Sequence, residues 1–183
     1  MNMISGPMEQ ALATLLDKQA ITEVLYRYCR GCDRADEEML RSCFHPDSQH
    51  RHGSFTGTSA DFCTLAMQIV TPLLACKHML SNVLIQVAGD EASSEAHYLA
   101  YHRGVIRDSG EEEDRITGGR YLDRFERRNG EWRIVSRLGL IDLERYQPPA
   151  DRTLQQLPPD RRGGKYPDDP LYQLLRQGEA VRR

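Results

Sequence analysis

The sequence predicts an α+β domain: three N-terminal helices packed on one face of a strongly curved, mixed or antiparallel sheet. Three observations predict it. Apolar residues at Leu12, Leu15, Leu16, Ile21, Val24, Leu25, Tyr28 and Cys32 recur with the helical period. After His78 the texture turns alternating and rich in β-formers. Asn129-Gly130 then stands between two alternating apolar runs, a strong short hairpin signal. A sheet curved in this way closes over its helices like a cone, with an apolar cavity and one mouth.

The first helix is expected to run from about Leu12, with Gly31 as its stop. "DEEMLRSCF" reads as a short second helix, capped by Asp36 and acidic in its first turn. "HPDSQHRHGSFTG" is polar and contains glycine, so it reads as a loop or hairpin. "SADFCTLAMQIVTPLLACKH" reads as a third helix that Pro72 ends or kinks. "HMLSNVLIQVAG" and "EASSEAHYLAYHRGVIR" read as strands, and "RITGGRYLDRFERRNGEWRIVSRLGLIDLERY" as two more. "DSGEEEDR" is a charged hairpin loop. These elements form one domain over residues 1–146. Residues 147–183, rich in Pro, Gly and charge, read as an extended tail with a short amphipathic turn at "LYQLLRQ". The apolar side chains of that tail are expected to pack on the domain or on a neighbouring subunit.

Composition narrows the function classes. A formal net charge of −3 gives no nucleic-acid footprint. No apolar run reaches the roughly 20 residues that cross a bilayer. The first residues show neither a charged region nor a long apolar core of a signal peptide. Five cysteines without a secretion signal fit reduced thiols, so a cytoplasmic location is expected. "CRGC" at Cys29–Cys32 ends a helix instead of starting one, so no helix N-terminus activates a thiol there. His45, His50 and His52 have no recognised zinc spacing and read as a polar loop, so no metal is assigned.

The stretch "DKQAITEVLYRYCRGCDRADEEMLRSCFHPD", then "KHMLSN", then "GGRYLDRFERRNGEWRIVSR" resembles the SnoaL-like branch of the nuclear-transport-factor-2-like superfamily. The resemblance spans Leu12 to Tyr146. That superfamily includes scytalone dehydratase, bile acid 7α-dehydratase, a hexachlorocyclohexane dehydrochlorinase, polyketide cyclases, steroid isomerases and non-catalytic dioxygenase β subunits. Its eliminating members share an Asp-His pair, and the resemblance places that pair at Asp33 and His78. It adds Tyr28 and Arg137 as polar groups beside the pair, and His97 as a second histidine. Cys32 stands where scytalone dehydratase has a tyrosine, which argues against a scytalone-like substrate.

The chemistry implied is general-base catalysis. A carboxylate bonded to one imidazole nitrogen fixes the tautomer and stabilises the imidazolium formed when the other takes a proton. Tyr28 and Arg137 would stabilise developing negative charge on oxygen. No cofactor is required. Strand alternation puts Tyr121, Asp123 and Phe125 on one face, His97 and Tyr101 on one face, and His78 and Asn82 on one face. These residues are the expected substrate contacts. Plainer roles stand beside these. Tyr28 fits a core tyrosine, Arg137 a surface ion pair, His97 a satisfied strand histidine, and Asp123 a partner for an arginine at a subunit contact.

The expected function is a cofactor-independent lyase acting on a hydrophobic, hydroxylated aromatic, polyketide or steroid-like molecule. The alternatives are an isomerase or cyclase using the same base, or a non-catalytic assembly subunit. A convex sheet face carrying Leu122, Ile134 and Ala100 is expected to drive assembly, as a trimer first and a dimer second.

Overall fold

The computed structural model describes residues 6–151 and 153–181. Its first helix, α1 (Gly6–Arg34), runs through Gly31. A Cβ on Gly31 would lie 2.9 Å from the Leu40 backbone. That glycine therefore serves the close approach of α2 (Glu37–Ser42) and does not stop α1. The stop is Ala35, whose φ is 50°. The Asp36 N–H reaches the Gly31 carbonyl at 2.9 Å and the Ala35 N–H reaches Cys32 at 3.2 Å, a Schellman closure. Asp33 thus lies inside the last turn of α1. Asp36 caps α2 as expected, its side chain accepting from the Met39 N–H at 3.0 Å.

The histidine-rich stretch is a hairpin, β1 (Phe44–His52) and β2 (Phe55–Thr58), and not a loop. α3 (Ser59–Val70) follows, with Thr58 as its N-cap. It ends before Pro72, because the residue preceding a proline is pushed out of the helical region. The remaining expected helix residues enter β3 (Ala75–Ala88), which leads to β4 (Glu91–Val105), β5 (Glu112–Arg128) and β6 (Glu131–Gln147). Asn129 and Gly130 turn β5 into β6 with positive φ at both positions. The sheet order is β2-β1-β6-β5-β4-β3, antiparallel throughout except where β1 runs parallel to β6.

The helices cover the concave face. Ile21, Val24, Leu25 and Tyr28 of α1 pack with Phe62, Cys63 and Val70 of α3 against Tyr121, Phe125, Trp132 and Ile134. Burying each large side chain contributes about 1.5–3 kcal/mol. The Trp132 indole N–H also donates to Asp17 at 2.9 Å, tying β6 to α1.

The strand faces correct several expectations. Ala96, Tyr98 and Ala100 point inward on β4, so His97 and Leu99 point outward. Ala100 and Ile134 belong to the core, not to the convex face. On β3 the register shifts between Ser81 and Leu84, where Asn82 takes φ 49°. This bulge breaks the alternation, so Asn82 is exposed and does not share the face of His78.

The tail is more folded than an extended segment. Two 3-10 turns, Leu154–Gln156 and Pro159–Arg161, lead to α4 (Pro170–Val181). Lys165 Nζ donates to the Thr71 and Leu73 carbonyls, both at 2.7 Å, closing the C-terminal end of α3. Asp151 pairs with Arg103, which also binds Asp114. The Tyr172 hydroxyl donates to Asp36 at 2.9 Å. Among the described residues, no helix is long and apolar enough to cross a membrane.

Candidate active site

The last turn of α1 delivers Asp33 against β3. A carboxylate at a helix C-terminus meets the negative end of the helix dipole, so its position there requires a partner. The partner is His78. Asp33 Oδ1 lies 2.7 Å from His78 Nδ1, and Asp33 Oδ2 accepts from the His78 backbone N–H at 3.1 Å. The side chains are 14% and 9% exposed, so solvent competes weakly for the bond. With the Nδ1 proton held by the carboxylate, Nε2 is the nitrogen free to take a proton.

His78 lines a cavity of about 290 Å³ between the helices and the concave face. Tyr28, Phe62, Tyr98 and Tyr121 give it an aromatic wall, and the exposed Ile69 and Ile141 belong to its rim. His52, Ser54, His78, His102 and Arg115 add polar side chains to this lining. Among the described residues, Tyr121 Oη and Thr117 Oγ1 are buried without a hydrogen-bond partner. Burial pushes the Tyr28 and Tyr121 hydroxyls well above their usual range, so both stay protonated donors.

Two cavity histidines were not foreseen. His102 lies on β4 with its ring 5.3 Å from that of His78 at an angle of 68°. Burial, then the neighbouring His78, pulls its pKa down to about 4, leaving it neutral at pH 7. His52 also lines the cavity, and burial lowers it to about 4. The signal for His102 was its parity with Ala96 and Ala100, which are buried on the inward face of β4. His97, the histidine expected there, lies on the convex face beside Met79, Leu99 and Leu143.

The other expected contacts are distributed differently. Arg137 bonds Asp123 through Nε and Nη2, both at 2.7 Å, and both side chains are wholly buried. Its guanidinium carbon lies 3.9 and 4.3 Å from the ring centroids of Tyr28 and Tyr121. Burial opposes its charge, but Asp123 outweighs that and raises its pKa above the usual range. Arg137, Asp123 and Phe125 lie in the core and do not border the cavity. Arg137 therefore holds Tyr28 and Tyr121 in place from behind. Tyr101 points outward, its hydroxyl bonded to Asp114 at 2.8 Å beside Arg103.

His45, His50 and His52 do not converge on a metal. His45 is buried with Nε2 3.0 Å from the Glu126 carbonyl. His50 stacks on Phe62 and, wholly buried, has its pKa lowered to about 2. A different set could hold an ion: Cys76, His78 and His102 each offer one ligating atom within 4.8 Å of the others. All five cysteines are unpaired and buried. Asp33 and His78 also border a second cleft, about 270 Å³, closed in part by Leu171 of α4.

Solved structures share this architecture. A putative scytalone dehydratase from Novosphingobium aromaticivorans superposes with a TM-score of 0.64 at 24% identity, over 76% of this chain and 96% of that one. A hexachlorocyclohexane dehydrochlorinase, LinA type 2, gives 0.66 at 20% identity, over 81% and 98%. An NTF2-like protein with a cystatin-like fold, also from Novosphingobium aromaticivorans, gives 0.59 at 23%, over 76% and 90%. No curated protein matches the sequence. The SnoaL-like domain model matches residues 13–138. With that match across most of the chain, the protein belongs to the SnoaL-like domain family.

Proposed function

We propose that the protein is a lyase whose His78 abstracts a proton from a carbon acid held in the apolar cavity, with Asp33 orienting the imidazole. The observation that carries this reading is the 2.7 Å bond from Asp33 Oδ1 to His78 Nδ1 beside an aromatic cavity. An oriented base of this kind contributes about 10²–10⁴-fold to rate. The cavity suits a hydrophobic molecule bearing one or two oxygens, and Tyr28, Tyr121 and Thr117 are the donors that would receive them. Elimination of water balances with this one base: His78 Nε2 takes the proton from carbon and returns it to the departing hydroxyl, which leaves as water. The names of the scytalone dehydratase and dehydrochlorinase neighbours point the same way.

The test is incubation with hydroxylated aromatic, polyketide and steroid-like compounds, followed by mass. Loss of a fixed mass from a substrate, abolished by His78→Ala, supports a lyase. An unchanged mass with a shifted double bond or a new ring makes the same base an isomerase or cyclase. No turnover of any compound favours a binding subunit. Exposed Met79, Leu84, Leu99 and Leu143 support self-association through the convex face, with a trimer ranked before a dimer. Sedimentation as a monomer at micromolar concentration contradicts that assembly.

A further inference from the structure

We propose that Cys76, His78 and His102 form a binding site for a borderline-soft divalent cation of the zinc type. The register of β3 and β4 creates it. Cys76 and His102 are directly opposed across the two strands, and His78 stands two residues beyond Cys76. Alternation sends all three side chains to the concave face. Opposed residues on neighbouring strands bring their Cβ atoms to about 4.5–5.5 Å, close enough for one ion to bridge them. One ligating atom from each residue accordingly lies within 4.8 Å of the other two. Cys76 Sγ is already 3.9 Å from His78 Nδ1. Tetrahedral zinc, with bonds of about 2.0–2.3 Å, sets its ligand atoms roughly 3.3–3.8 Å apart. Side-chain rotations therefore close the remaining gap without moving the strands.

The donor set selects the ion. A thiolate with two imidazoles suits zinc and its neighbours and excludes magnesium and calcium, which prefer oxygen. Three protein ligands leave a fourth position, and His78 and His102 both line the cavity into which it would open. His78 Nδ1 is bonded to Asp33 Oδ1, so binding an ion through that nitrogen displaces the carboxylate from the ring and leaves it the His78 backbone N–H. The binding step balances simply: Cys76–SH and M²⁺ give Cys76–S⁻–M²⁺, with one proton released to solvent. Occupancy ties up the imidazole of His78. If the proposed base is correct, the ion also switches it off, but the binding does not depend on that reading.

The reduced full-length chain is titrated with Co²⁺ and then Zn²⁺. One equivalent is expected to give visible absorption of tetrahedral intensity and a thiolate-to-cobalt charge-transfer band, both displaced by one equivalent of zinc. Cys76→Ser removes the charge-transfer band, His102→Ala weakens zinc at least about 10-fold, and Cys29→Ser changes neither. Circular dichroism reports whether each variant folds. Should Cys76→Ser not fold, X-ray absorption of the zinc-loaded natural chain counts the ligands directly, one sulfur and two imidazoles being expected. Six-coordinate cobalt spectra, a charge-transfer band that survives in folded Cys76→Ser or disappears in Cys29→Ser, or a zinc shell without sulfur overturns the site.

Discussion

Asp33 grips His78 at two points, the ring through Oδ1 at 2.7 Å and the backbone N–H through Oδ2 at 3.1 Å. One carboxylate thereby fixes both the tautomer of the imidazole and the position of the strand that carries it. Asn in its place keeps one acceptor and loses the charge that stabilises imidazolium. Asp33→Asn is expected to lower kcat by about 10²–10⁴-fold on whichever substrate the panel identifies, while the fold persists. Turnover within a few-fold of the natural protein would remove Asp33 from the mechanism.

Arg137 and Asp123 are predicted to act on stability. Both side chains are wholly buried and paired. Removing one leaves the other charge buried and alone, at a cost of about 3–5 kcal/mol. Asp123→Ala and Arg137→Ala should each lower the urea midpoint sharply. The double replacement Asp123→Leu with Arg137→Met should recover much of that loss, since no charge is then stranded. A single variant as stable as the natural protein contradicts the pairing as a structural element.

Acid should destabilise the fold through histidines. Burial holds His52 and His102 down to about 4 and His50 to about 2. In the unfolded chain each titrates near pH 6.5. Between those values the unfolded chain binds more protons, so stability is complete above about 6.5. It falls as pH drops toward 4, and His50 continues the fall below that. Each such group contributes a slope of about 1.4 kcal/mol per pH unit within its window. Urea midpoints at pH 7.5, 6 and 5 measure the fall, and His50→Phe should flatten it. Equal midpoints at pH 7.5 and 5 contradict neutral burial.

The tail is predicted to brace the site. Lys165 closes the end of α3, Tyr172 bonds the cap of α2, and Leu171 borders the cleft beside Asp33. Tyr172→Phe should cost about 0.5–1.5 kcal/mol, the usual net value of one hydrogen bond. Truncation after Tyr146 should lower the melting temperature well beyond that. An unchanged melting temperature makes the segment a linker.

The candidate site was legible in part, and particular residues show where reading stopped. The resemblance supplied both Asp33 and His78. Tyr28 and Tyr121 follow from periodicity and do line the cavity. Asn82 was misplaced by a bulge with no sequence marker beyond an asparagine that tolerates positive φ. The resemblance named His97 as the second histidine, but His97 faces outward and His102 lies on the inward face, because one step along a strand reverses the side chain. Arg137 was expected beside the substrate, whereas its place behind Tyr28 depends on Asp123, which reaches it across strands.

What the sequence determined alone is what short-range physics controls. It set the helix from its apolar period, the cap at Asp36 and the Asn129-Gly130 turn. These depend on neighbours a few residues apart, whose steric and hydrogen-bonding preferences survive in any context. Tertiary structure decided the rest. The parallel pairing of β1 with β6, the folding of the tail onto α1 and α3, and the meeting of Cys76, His78 and His102 join segments far apart in the chain. Such contacts are set by which register buries the most apolar surface and leaves the fewest polar groups unpaired. That comparison can be made only once the whole chain is packed.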